Sequence, residues 1–214
     1  MTDLTPPRAA AEADKPSKRP WSRYTVQAGA AFHWWNALQP QKRENGTTPG
    51  DRATVARLRR CSHSMELAVE PATAELFGKL RFDHAKATDQ NIATAAVLAG
   101  VLAHIRKQAA GSLARAMGAR QGERAIVSAI RMKRFMAARE PEDVLRQFQR
   151  ILAMLGDAAD VRDVAATVLA WLDPSPVGDR ARTRFAFAYH GATIDDASDL
   201  DANETSSAAT SSEA

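Results

Sequence analysis

Arginine is the side chain best placed to do chemistry in this sequence. Arg120, Arg124, Arg131, Arg134 and Arg139 recur at spacings that a helix over 121–139 would gather within an arc of about 140°, at roughly 100° per residue. A row of guanidinium groups binds phosphate, because each planar fork donates two parallel N–H bonds to anionic oxygens. A solvated helix face is the ordinary alternative. Such faces mix signs at i, i+4, however, since like charges there are mildly destabilising; here Glu123 is the only acid within 90–139. Arg57, Arg59, Arg60, Arg106, Lys107, Arg115, Arg146 and Arg150 extend the row if their helices pack side by side. The contacts expected are to backbone phosphates and not to bases, since no recognition-helix pattern accompanies them.

Other chemistries find little support. Gly78-Lys79 is followed by Leu80, where a phosphate loop needs Ser or Thr, and no spaced glycines precede it. The histidines (His33, His63, His84, His104, His190) never pair at i, i+4. Cys61 and His63 stand two apart without further ligands to complete a metal site, so Cys61 reads as a small apolar filler. His104 lies in the most apolar segment and reads as a hydrogen-bonded core histidine. An enzyme built on His104 or His63 would lack a second catalytic group, and Glu142-Asp143 sit where a helix starts. No catalytic residue, metal or cofactor is expected. Trp34 and Trp35 would point about 100° apart on a helix, placing one in the core and the other partly exposed. The exposed one would pack on a partner or, as the alternative, stack a base.

Charge is unevenly distributed. The formal net charge is +4, yet residues 21–191 hold 25 Lys+Arg against 16 Asp+Glu, while 192–214 hold six acids and no base. A basic middle points to a polyanion, nucleic acid before membrane. The longest apolar stretch, 92–105, would reach only about 21 Å as a helix, too short for a bilayer. Residues 1–20 lack the apolar run of a signal peptide. One cysteine excludes an internal disulfide and fits a reducing compartment, so a soluble, cytoplasmic protein is expected.

The elements that must position these residues are helical. Of the 214 residues, 44 are Ala, the best helix former, and β-branched residues are sparse. Caps and periodicity predict helices over 24–38, 51–61, 71–80, 90–108, 112–117, 121–139, from Pro141 through Leu155, from Asp160 to Leu172, and over 178–190. The 121–139 helix is expected to bury Ile126, Ala129, Ile130 and Ala137, and 39–49 to form a loop. The expectation is an all-α bundle of about eight or nine helices in one domain over 21–191, flanked by a disordered arm over 1–20 and a disordered acidic tail over 192–214.

Several segments together resemble one known family. In order they are Phe-His-Trp-Trp-Asn-Ala-Leu (32–38), Gly-Asp-Arg-Ala…Leu-Arg-Arg (50–60), Glu-Pro-Ala (70–72) and an Ala-rich helix (93–103). Then come Ser-Leu-Ala-Arg-Ala-Met (112–117), Glu-Arg-Ala-Ile-Val-Ser-Ala-Ile-Arg (123–131), Glu-Asp-Val-Leu (142–145), Gln-Arg-Ile-Leu (149–152), the Trp171 helix and Arg-Phe-Ala-Phe-Ala-Tyr (184–189). Across roughly 30–190 this string resembles the CasB family, the small subunit of the type I-E Cascade CRISPR complex. The resemblance implies an all-helical, non-enzymatic subunit present as a pair, in contact with the large subunit and the crRNA-bearing backbone subunits. It implies sequence-independent basic contacts to the crRNA–target DNA heteroduplex and the displaced strand, stabilising the R-loop in antiviral defence. Arg59, Arg60, Arg115, Arg124, Arg131 and Arg150 match basic positions of the family motifs. Lys107, Arg134 and Arg146, with Arg120, join them by the face argument alone. The N-terminal arm and acidic tail depart from the family pattern.

A different class remains open: a helical DNA-binding regulator or nucleoid-type protein acting alone, which would bind duplex as a purified dimer without crRNA. The acidic tail reads either as a solubilising segment or as one that covers the basic face.

Overall fold

Asp51, Thr88 and Asp160 each start a helix as short polar side chains do, by accepting a hydrogen bond from a backbone amide of its first turn. Pro71, Pro141 and Pro176 do so differently, with a preset φ and no amide to leave unpaired. The computed structural model describes residues 22–43, 46–82 and 88–192. Among them are ten helices: α1 (Ser22–Leu38), α2 (Arg52–Arg60), α3 (Ser64–Ala68), α4 (Pro71–Leu80), α5 (Asp89–His104), α6 (Leu113–Gly118), α7 (Ala129–Ala137), α8 (Pro141–Met154), α9 (Val161–Trp171) and α10 (Pro176–Tyr189). Strands are tiny. β1 (Gln41–Arg43) pairs antiparallel with β2 (Gly46–Thr48), and β4 (Arg120–Gln121) with β5 (Arg124–Ala125). β3 (Lys107–Gln108) pairs parallel with β6 (Ala158–Ala159). The all-α expectation holds, and no helix among the described residues is long and apolar enough to cross a membrane.

α5 is the axis of the fold. Thr94 through Ala103 are buried without a break, so α5 takes neighbours on every side: α2, α3, α4, α8 and α9 all pack on it. At Gly100 the approach of α3 and α8 is closest; a Cβ there would lie 2.5 Å from a Leu67 methyl and 3.0 Å from one of Leu145. α1 lies across α9 and α4, and α10 closes over α9 and α6. A second knot of the core is aromatic: the Phe135 ring sits 4.9 Å from Phe148, 4.7 Å from Trp171 and 5.5 Å from Phe185, centroid to centroid.

Five expectations are corrected. Residues 39–49 carry β1 and β2 and not a plain loop. α3 is additional to the expected helices; it forms because Leu67, fully buried, fills the space left by Gly100. The helix expected over 90–108 ends at His104, because the amides of Arg106 and Lys107 both turn to the Asp157 carbonyl, at 2.8 and 3.2 Å. Both Trp34 and Trp35 are buried, their indole N–H groups donating to the carbonyls of Ala72 (3.1 Å) and Ile105 (3.3 Å).

The fifth correction matters most for function. The helix expected over 121–139 is only α7, and 120–125 form a hairpin that turns at Gly122, whose φ is +67°. Ile126 and Val127 then tie back to α6, donating to the carbonyls of Ala119 and Met117. With the helix starting at Ala129, Phe135 and Met132 become its inner face, while Ala129, Ile130 and Ala137 are exposed and Ile126 is half-buried. The expected arm over 1–20 and the acidic tail beyond 192 lie outside the described residues.

Candidate nucleic-acid interface

Phe135 decides where the arginines of α7 go. Its ring is locked into the aromatic knot, which turns Arg131 and Arg134 outward along the seam with α8. On α8 the apolar set Val144, Leu145, Phe148, Ile151 and Leu152 is buried as expected, and this leaves Arg146 and Arg150 on the outer side. The result is a groove of about 330 Å³ between α7 and α8, lined by Arg131, Arg134 and Arg150 with Gln147, over a floor that includes Ile151 and Met154. No carboxylate lines it, and among the described residues none of these three guanidinium groups forms an ion pair. Uncompensated guanidinium groups on one concave surface form a receptor for phosphate oxygens. Arg146, one turn away on α8, instead faces Asp143 at 3.5 Å, in an exposed pair that salt screens readily.

Because the hairpin interrupts the helix, the other residues of the expected row fall elsewhere. Arg120 and Arg115 come together in a second, larger groove of about 490 Å³, bounded by α6, the β4–β5 hairpin and the end of α10, with Glu123 at its edge. Arg124 is exposed on β5 and lines neither groove. A third basic group surrounds Asp157. Arg106 pairs with that carboxylate at 3.0 Å, and Arg59 lies close enough that burial first, then Arg106, lowers its guanidinium pKa from the ordinary value. The Arg59 Nε donates to the Ala103 carbonyl at 2.6 Å, so this side chain caps the end of α5. Lys107 is exposed beside it on β3, and Arg60 is exposed on α2. Arg57, also on α2, is held by Glu70 at 3.1 Å.

Other basic residues serve the fold. Arg182, 5% exposed, donates from Nη1 to the carbonyls of Ala170 and Trp171 at the end of α9, and from Nη2 to Asp179. Arg139, expected in the phosphate-binding row, caps α7 through the carbonyls of Met136 (2.6 Å) and Ala138 (2.9 Å); burial, then Arg182, lowers its pKa. Arg162 lies 4.3 Å over the Phe32 ring. Only Arg139, two residues past the end of α7, is placed where the sequence hints at capping; Arg182 lies in the middle of α10 and reaches back to the end of α9 through the fold.

One catalytic-looking trio emerges that the sequence did not suggest. Ser64 Oγ and His63 Nδ1 approach the same Glu142 carboxylate, at 2.7 and 3.6 Å. A nucleophile would donate its hydroxyl proton to the imidazole; here Ser64 donates both its hydroxyl and its amide to Glu142, which pins α3 to the start of α8. His104 Nδ1 lies 2.8 Å from the Gly100 carbonyl within its own helix. Cys61 is half-buried with its thiol against the Arg57 carbonyl, its pKa raised by burial and then by Glu70 and Glu66. Among the described residues no three His, Cys, Asp or Glu side chains group to hold a metal ion.

The family model described as CRISPR-associated protein Cse2 matches residues 54–190 of the chain. That stretch contains α7, α8 and the lining of both grooves except Gly191. No curated protein and no solved structure matches the chain.

Proposed function

The chain belongs to the CRISPR-associated Cse2 (CasB) family, the small subunit of the type I-E Cascade complex, and on that premise we propose that its α7–α8 groove grips nucleic-acid phosphates and stabilises the R-loop. In an R-loop the guide–target duplex replaces a DNA duplex of similar stability, so modest contacts to the backbone tip the exchange. Guide pairing already reads the sequence, which leaves the protein a sequence-neutral grip on the backbone. Arg131, Arg134 and Arg150 suit such a grip. Three guanidinium groups around one groove, without a carboxylate among them, is the observation that carries the reading. Arg115 and Arg120 supply a second contact surface, and Arg60, Lys107 and Arg124 exposed points along the body. The subunit acts without catalysis, in two copies, beside the large and backbone subunits and the crRNA, through a helical body spanning 21–191.

The test is a Cascade complex reconstituted with R131E/R134E/R150E. R-loop lifetime on a matched target should fall at least tenfold, and the salt dependence of target binding should flatten by about two to three in log–log slope. The complex should still assemble with crRNA and the circular dichroism of the subunit should stay helical. An unchanged R-loop lifetime would remove this groove from the interface. Failure to co-purify with crRNA and the other subunits would favour a protein acting alone.

A further inference from the structure

Phosphate alone does not account for the α7–α8 groove. Gln147, Ile151 and Met154 follow one another along α8 at i, i+4 and i+7, so they form a stripe about 10 Å long on one side of that helix. Arg131 and Arg134 on α7 and Arg150 on α8 line the same groove. The three arginines are exposed, Gln147 and Met154 half-buried and Ile151 buried, so the lining is graded from charge at the mouth to apolar surface at the floor. Among the described residues the Gln147 side-chain amide takes no hydrogen bond. Guanidinium groups serve a phosphate completely, and a phosphate gains nothing from an apolar floor. A nucleobase has the matching chemistry, a flat face that packs on apolar side chains and an edge of donors and acceptors. Met154 adds a polarizable sulfur, which favours aromatic rings, and Gln147 offers a donor and an acceptor side by side. The groove volume, about 330 Å³, falls at the lower end of sites that enclose a small molecule.

We propose that this groove receives an unstacked nucleotide of a single strand, its base lying on Met154 and Ile151 beside Gln147 and its flanking phosphates held by Arg131, Arg134 and Arg150. The bases of a duplex are paired and stacked inside it, so a duplex presents only phosphates to the guanidinium groups and leaves the floor wet. A single strand can fill both levels of the groove. The base contact is indifferent to sequence, because every base has an apolar face and an edge that a carboxamide can meet. Gln147 and Met154 thereby select for the state of the strand and not for its sequence. The proposal rests on the phosphate-binding reading above and adds the base to it.

The experiment uses the full chain with isotope-labelled methionine methyl groups, the Met154 signal being assigned through Met154→Leu. Two probes of equal length and charge are compared: a twelve-nucleotide oligo-dT, and the same backbone built of abasic units. Oligo-dT should bind about five- to tenfold more tightly, the gain expected from burying one base face on the floor. It should also move the Met154 methyl resonance by the ring current of the base, while the abasic strand leaves that resonance in place. The two probes should share one salt slope, since their phosphates are the same. Gln147→Ala with Met154→Ser should abolish the preference for oligo-dT and leave the abasic affinity unchanged. Equal affinities of the wild type for both probes, or a Met154 methyl that ignores oligo-dT, overturn the base site and leave the phosphate grip standing. Thymidine triphosphate binding as tightly as oligo-dT overturns the strand as occupant in favour of a free nucleotide. If neither oligomer binds, the phosphate-binding function falls and the base site with it.

Discussion

Gly118 meets Tyr189 with no room for a methyl group between them: a Cβ on Gly118 would overlap the Tyr189 carbonyl oxygen. Tyr189 is held from its other end as well, its hydroxyl donating to the Val127 carbonyl at 2.6 Å. The pair fastens α10 to the corner where α6 gives way to the hairpin. Gly118→Ala must push the two elements apart, and overpacking of this kind costs about 2 kcal/mol. For a chain of this length the melting temperature should fall by roughly 4–8 °C. Thermal unfolding followed by circular dichroism measures it; a wild-type midpoint would refute the contact.

Arg182 and Arg134 should separate cleanly in two measurements. Arg182→Met leaves the carbonyls of Ala170 and Trp171 without their buried donor, and unfolding should become easier by about 2–4 kcal/mol. Its oligonucleotide salt slope should not change. Arg134→Met should show the reverse, with an unchanged midpoint and a slope smaller by about 0.7–0.9 for one lost phosphate contact. Equal behaviour of the two variants would collapse the distinction between capping and binding arginines.

Asp163 carries a sign that can be checked. Its carboxylate accepts the Leu113 amide at 2.6 Å, yet burial, opposed by that bond and reinforced by Asp160, leaves its pKa raised. A folded-state pKa above the unfolded one means that protonation favours the fold, and this contribution is lost as pH rises through the folded pKa. Asp163→Asn keeps an acceptor for Leu113 and carries no charge. The melting temperature of D163N minus that of wild type should therefore become more positive as pH climbs from the ordinary aspartate value of 3.8 toward neutrality. A difference that shrinks over that window would contradict the assignment.

The junction of α3, α5 and α8 predicts a coupled pair. Gly100→Ala drives a Cβ to within 2.5 Å of the Leu67 methyl and should destabilise by about 1–2 kcal/mol, its gain in helix propensity notwithstanding. Leu67→Ala alone should cost about 2–4 kcal/mol through the cavity it leaves. In the double variant the new methyl fills part of that cavity, so the loss should be smaller than the sum by at least about 0.5 kcal/mol. Chemical denaturation of the four chains gives the cycle; strict additivity would show that the two residues do not share the space.

Elements with a local cause are the ones legible in the sequence. α2, α4, α8, α9 and α10 are visible there because Asp51, Pro71, Pro141, Asp160 and Pro176 act within one turn of themselves. α8 shows its buried face because Val144 to Leu152 repeat with helical period. The end of α5 is not legible, since the Asp157 carbonyl that captures Arg106 and Lys107 comes from about fifty residues further on. Nor is the break at 120–128. Ser128 makes no side-chain cap, and the apolar residues there allow several helical phases until Phe135 meets Phe148 and Trp171. The arginine row is thus sound as composition but wrong as geometry: Arg131 and Arg134 stay together and gain Arg150, while Arg120 joins Arg115.

The Gly122 turn gives the two basic grooves separate foundations. The α7–α8 groove stands on a welded aromatic core, whereas the Arg120 wall of the other stands on a hairpin held to α6 by the amides of Ile126 and Val127. An insertion at the exposed tip, 122–123, would lengthen one reach and leave the other untouched. The molecule is in that respect modular: divergence can reshape one basic groove and leave the other as it is.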